Sequence, residues 1–180
     1  MRRILDLGAI CLLTAACSGS VSETDSSGGI GGHGGAADAS GTPTTCTSQV
    51  YWAGGDKGSE VMHPGGACLT CHANSPEAPK FTIAGTVYPT SHEPDDCNGS
   101  SGTLGITVVI TDATGKQLAP IPVNDVGNFY YDGSVVSPFH VKVVSNGKEN
   151  SMSAAPANGE CNSCHTRSGA NSAPGRVLAP

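Results

Sequence analysis

Leu104-Gly105-Ile106-Thr107-Val108-Val109-Ile110-Thr111 is the stretch that decides the fold class. Most of it is β-branched. Such side chains lose rotamer freedom in a helix and pack well on a pleated sheet, so the run reads as a strand. Asp112-Ala113-Thr114-Gly115 then supplies turn chemistry. Upstream, Phe81-Thr82-Ile83-Ala84-Gly85-Thr86-Val87-Tyr88 sets Phe, Ile and Val at near-alternate positions, the pattern of a second strand. Downstream, Val126-Gly127-Asn128-Phe129-Tyr130-Tyr131 and Phe139-His140-Val141-Lys142-Val143-Val144 are two more, each followed by a turn dipeptide, Asp132-Gly133 and Asn146-Gly147. Short strands with Gly, Pro and Asn between them predict a mainly β chain built as a small antiparallel β-sandwich.

The stretch 81–147 resembles the regulatory-like β-sandwich domain found beside some carboxypeptidases. Gly85-Thr86-Val87, Gly105-Ile106-Thr107-Val108, Asp125-Val126-Gly127-Asn128-Phe129 and Val141-Lys142-Val143 carry the likeness. It implies a scaffold and no chemistry. The segment Ser91 to Gly102 departs from that compact pattern. The tail from Ser168 to Pro180 is small and polar, and is expected to fray.

The chemistry is expected outside the sandwich. Cys68-Leu69-Thr70-Cys71-His72 and Cys161-Asn162-Ser163-Cys164-His165 are two copies of Cys-x-x-Cys-His. A c-type haem needs two thiols spaced to reach both vinyl groups, and an imidazole beside the second thiol for the iron's fifth position. With this composition, chance yields roughly 0.01 copies of the motif per chain, so two copies are a signal. On these motifs the chain resembles a dihaem c-type cytochrome. The resemblance implies two covalent haem c groups, with His72 and His165 as proximal ligands.

Three other uses of the thiols are weaker. A zinc ribbon keeps its Cys-x-x-Cys pairs about 15–20 residues apart, and here the gap is about 90. A thioredoxin-like dithiol would sit near a βαβ pattern, and none is evident. A structural disulfide within Cys-x-x-Cys closes too short a loop to stabilise much.

The N-terminus bears on location. Met1-Arg2-Arg3 is a positive n-region, and Ile4 to Ala16 is mostly apolar but well short of a membrane span. Leu13-Thr14-Ala15-Ala16-Cys17 resembles a bacterial lipobox. It implies that Cys17 is lipidated, anchoring an exported chain to a membrane surface of the bacterial envelope. Ser18 in the following position favours the outer membrane. The expected organisation is a signal peptide over 1–16, a lipidated flexible linker over 17–45 and a first haem-binding segment over 46–80. The β-sandwich then covers 81–150, and a second haem-binding segment with the tail covers 151–180. Of eight cysteines, Cys11 leaves with the signal, Cys17 takes lipid and four take haem. Cys46 and Cys97 remain as one pair, expected to form a disulfide in an oxidising compartment.

Each motif has candidate sixth ligands upstream, His63 for the first haem and Met152 for the second, across loops containing Pro and Gly. His92 and His140 are expected to lie farther off, about 15–20 Å along strands rising about 3.3 Å per residue, if the sandwich runs up and down. The net charge is −6 and there is no basic patch, which speaks against nucleic-acid partners. The expected function is electron transfer to redox partner proteins of the envelope. Two rivals stand beside it: a dihaem redox enzyme with an open iron position for a small molecule or peroxide, and a haem-bearing binding or sensory module.

Overall fold

The computed structural model of the chain describes residues 44–55 and 58–180. Cys17, the signal peptide and most of the linker lie outside the described residues. The fold is mainly β, with two sheets facing one apolar core. One sheet has three strands in the order β4-β1-β7 and the other has four in the order β3-β2-β5-β6. Strand β1 is Ile83–Tyr88, β2 Thr107–Thr111, β3 Ile121–Pro122, β4 Asn128–Tyr131, β5 His140–Ser145, β6 Lys148–Ser151 and β7 Val177–Leu178.

The core is filled by residues alternating along the strands. Ile83 and Val87 come from β1, Val108 and Ile110 from β2, Phe129 from β4, and Val141 and Val143 from β5. The spacing of two puts one face of each strand inside. β2 and β5 pair antiparallel from Thr107 opposite Val144 to Thr111 opposite His140, and form the spine of the larger sheet. The strand predicted from Leu104 begins three residues later. Ser101 Oγ accepts from the Thr103 amide and starts a 3₁₀ turn over Gly102–Leu104, and that turn satisfies the backbone a ladder would otherwise use.

β1 departs from simple alternation because every one of its residues is buried. One face meets the core, and the other is covered by the segments around Gly65 and Cys161–Asn162. β1 pairs antiparallel with β4 on one edge, Ile83 opposite Tyr131 to Thr86 opposite Asn128. Its other edge is shared. Ala84 bridges Glu160, and its amide donates to the Gly159 carbonyl at 2.9 Å. Further along, Val87 and Tyr88 pair in parallel with Val177 and Leu178. Residues 159–178 therefore leave β1, form a loop and return to the same edge.

The tail does not fray. β7 is hydrogen-bonded into the smaller sheet, the Ala179 amide donates to the Tyr88 carbonyl, and Arg176 is 4% exposed. A short polar composition gives no hint of this, because the stabilising contacts are main-chain pairing and one buried guanidinium rather than apolar area.

Candidate functional site

The first Cys-x-x-Cys-His motif forms helix α1, Cys68–Asn74, lying against β1. His72 is in its last turn and is buried. Its Nδ1 is 2.8 Å from the carbonyl oxygen of Pro79. A carbonyl only accepts, so Nδ1 carries the proton and Nε2 of the neutral ring keeps the lone pair. The loop that brings Pro79 back is clamped by Lys80, whose Nζ donates to the carbonyls of His72 and, at 2.8 Å, Ser75. A cation at the end of α1 satisfies carbonyls that have no helical partner and suits the negative end of the helix dipole. The His72 ring packs on Phe81 at 4.6 Å between centroids, and Phe81 stacks on Tyr130 at 4.5 Å.

The second motif forms a tighter turn. Cys161–Ser163 is 3₁₀, and the His165 amide donates to the Cys161 carbonyl at 2.9 Å. His165 adopts the posture of His72: its Nδ1 is 2.8 Å from the Gly175 carbonyl. Its Nε2 is buried and has no hydrogen-bond partner. An orphaned buried ring nitrogen costs about 1–3 kcal/mol unless something binds it. Metal-ligating histidines characteristically commit the other ring nitrogen to a carbonyl in this way. Both motif histidines thus suit axial ligation through Nε2; at the second motif both thiols are free to attach a haem, whereas at the first Cys68 is free and Cys71 is held in a disulfide that must open before attachment.

Sequence spacing does not reveal that the motifs meet. The Thr70 amide, inside the first motif, donates to Glu160 Oε2 at 2.9 Å, directly before the second. Asn162, inside the second, donates to the Gly66 carbonyl at 2.9 Å and contacts Cys68 Sγ at 3.8 Å. Asn162 is buried, and its Oδ1 also accepts from the Thr86 amide on β1. The second motif is seated on the strand at Gly85, where a Cβ would lie 2.7 Å from Cys161 Cβ. Gly159 is equally tight, since a Cβ there would lie 2.0 Å from the Thr82 carbonyl oxygen.

Cys68, Cys161 and Cys164 are free thiols. Burial, reinforced by the Glu160 charge, pushes the Cys68 thiol up to about 11. Burial pushes Cys161 up to about 12, with Cys68 and Glu160 adding to it. Thiol–disulfide exchange needs a thiolate, and such catalysts lower the thiol pKa. These two groups are shifted the opposite way, which is unfavourable to a dithiol oxidoreductase.

The candidate sixth ligands are placed less simply. His63 stacks on Trp52 at 4.4 Å between ring centroids, with its Nε2 3.8 Å from Asp96. Met152 packs against the core, and its amide donates to the Val141 carbonyl. His140 shares a shallow groove with Met152 on the larger sheet. His92 is not remote from the motifs: its Nδ1 is 2.8 Å from the Arg167 carbonyl, two residues past His165. The distance argument fails because the strand order is not up-and-down and the loop after Tyr88 folds against residues 167–176. The Arg176 amide donates to the Ser91 carbonyl there.

Cys46 and Cys97 are joined by a disulfide beside the fully buried Glu93. Among the described residues, these three are the one group whose ligand atoms lie close enough to share a metal ion. With both thiols consumed in a disulfide, the group lacks the thiolates a metal would need. Buried Arg176 closes this corner. Its Nε donates to the Glu93 carbonyl at 3.2 Å, Nη2 pairs with Asp95, and the guanidinium lies 4.6 Å from the Tyr88 ring centroid.

No protein-family model, curated protein or solved structure matches the chain.

Proposed function

We propose that this chain is an electron-transfer protein of the bacterial envelope carrying two covalent c-type haems. Cys68 and Cys71 attach the first, with His72 as proximal ligand. Cys161 and Cys164 attach the second, with His165 as proximal ligand. The observation that carries the reading is the shared posture of the two histidines. Each follows a Cys-x-x-Cys pair and gives its Nδ1 proton to a main-chain carbonyl, and the Nε2 of His165 is buried without a partner.

Each haem, once bound, supplies an iron that gains or loses one electron. The chain's own residues do the rest. The Pro79 and Gly175 carbonyls fix the histidine tautomers and ring orientations. Lys80 locks the first loop and Arg176 the second. The half-buried cysteines of the two motifs would provide thioether attachment points in two short helical segments packed against β1. A rigid setting of this kind keeps reorganisation small, which suits electron transfer. Export and lipidation at Cys17 are part of the proposal. They set the chain on a membrane surface, where its partners are other envelope redox proteins.

The test is haem content after denaturation. The exported protein should retain two haems by mass and by haem stain. Cys68→Ala with Cys71→Ala should leave one, as should Cys161→Ala with Cys164→Ala. Zinc in place of iron, or no covalent haem, would refute the reading. A ferric spectrum with a high-spin, ligand-binding component would instead favour the redox-enzyme alternative.

A further inference from the structure

The two motifs do not hang separately from the ends of the sandwich. They interlock across β1. Thr70 lies between the cysteines of the first motif, and its amide bonds Glu160, the residue before the second. Asn162 lies between the cysteines of the second motif, and its side-chain amide bonds Gly66 and contacts Cys68 Sγ at the start of the first. The exchange is reciprocal. An ionised Cys68 would disfavour ionisation of Cys161. Cys161 bears on the strand at Gly85, and Asn162 on it at Thr86.

We propose that the two haems form one electrostatically coupled pair, clamped by Glu160 and Asn162, with the Glu160 carboxylate acting on both. This rests on the haem reading above. A thioether starts each porphyrin at its own motif, and the first thiol of one motif touches the middle of the other. Haems attached at two motifs that interlock in this way would sense each other's charge, because the interaction falls only as the inverse of distance and buried sites screen it weakly.

Glu160 is the residue placed to act on both. Its Oε2 accepts from Thr70, while Oε1 is buried with no hydrogen-bond partner. Its charge already raises both the Cys68 and Cys161 thiols. A fixed negative charge there favours the more positive ferric state at both sites. It is a positioning and tuning residue, with no ligand role.

The experiment uses the full exported protein and three variants. Glu160→Gln keeps a carbonyl acceptor for the Thr70 amide and removes the charge. Both midpoint potentials should rise, each by about tenfold in its oxidation equilibrium, or 59 mV for one electron. A purely structural contact would move neither. Independently, electron paramagnetic resonance of the fully oxidised protein should show broadened or split signals. The two single-haem variants, each lacking one pair of attachment cysteines, should show sharp ones. If the two-haem spectrum equals the sum of the single-haem spectra, or if Glu160→Gln shifts one potential or none, the pair is refuted while the haem reading stands. Absence of covalent haem in the wild type removes both.

Discussion

His165 Nδ1 lies 2.8 Å from the carbonyl oxygen of Gly175, and the next residue, Arg176, is the most buried Lys or Arg among the described residues. The two facts are one device. Arg176 ties its own segment to Ser91 through its amide and to Glu93 and Asp95 through its guanidinium. The carbonyl that orients His165 is thereby fixed to the body of the protein. Arg176→Ala should cost about 3 kcal/mol, the lower end for a broken buried pair because Asp95 is exposed and re-solvates. Denaturant unfolding measures it. In the haem-loaded protein the same substitution should alter the spin state or potential of the second haem and leave the first unchanged.

The strands were legible because β-branched runs with period-two burial are a local property, and 107–111 and 140–145 carry it plainly. Helix α1 was not, since it is seven residues long, has no side-chain N-cap and contains no apolar stripe. β7 was not, because a two-residue strand takes its stability from the partner strand. At the candidate site the two Cys-x-x-Cys-His stretches stood out by residue type and spacing. Their supports did not. Pro79 and Gly175 contribute only main-chain oxygens, which no side-chain pattern reports. The meeting of two motifs about 90 residues apart depends on β1 accepting both on one edge and face, and that is topology. The signal that was available is Gly85, a glycine inside a strand pattern, which often marks close backbone approach.

Gly85→Ala tests that contact. The new methyl would meet Cys161 Cβ at 2.7 Å and Phe129 Cζ at 2.9 Å. Both neighbours are held by the core, so overpacking should cost about 1–3 kcal/mol. Gly55→Ala, with nothing within 4 Å of the added atom, should be close to neutral. Equal melting temperatures for the two variants would show that the second motif is not seated on Gly85.

The Cys46–Cys97 disulfide closes a loop of 51 residues containing the whole first motif. Replacing both cysteines by alanine should lower stability by about 4 kcal/mol from loop entropy. Reducing agent should destabilise the wild type by more than it destabilises this variant.

Asp112 sets an acid-dependent contribution in the turn after β2. Its Oδ1 accepts from Thr114 Oγ1 at 2.6 Å, the Thr114 amide at 2.9 Å and the Lys116 amide at 3.0 Å. The Thr114 hydroxyl bond is the main cause holding its pKa below the ordinary 3.8. The folded state therefore binds the proton less readily than the unfolded one. The contribution is full above the unfolded value and is lost as pH falls through the folded one. Asp112→Asn should flatten the acid limb of the stability curve below about pH 4 and change little at neutral pH beyond a constant offset.

If the two proposed haems are present, their sixth ligands decide between carrier and enzyme, and the geometry reorders the candidates. Methionine raises a haem potential relative to histidine, because a soft thioether favours ferrous iron. A Met152 ligand would therefore make the second haem the higher of the two. Yet Met152 packs against the core, and its amide is tied to Val141. Reaching iron would mean leaving apolar contacts and peeling the chain from β5. His92 is tied instead to Arg167, beside the second motif, and its committed Nδ1 leaves Nε2 with the lone pair. His63 keeps its position in the run just before Cys68, but its ring must leave Trp52 and Asp96 to bind. We expect His63→Ala to shift the first potential and His92→Ala the second, each with a rise in high-spin iron. Met152→Ala should lower stability and leave both potentials in place. A shift on Met152→Ala would restore methionine as the second ligand. If no histidine substitution changes spin state and the wild type already binds cyanide rapidly, the irons are open and the redox-enzyme reading replaces the carrier.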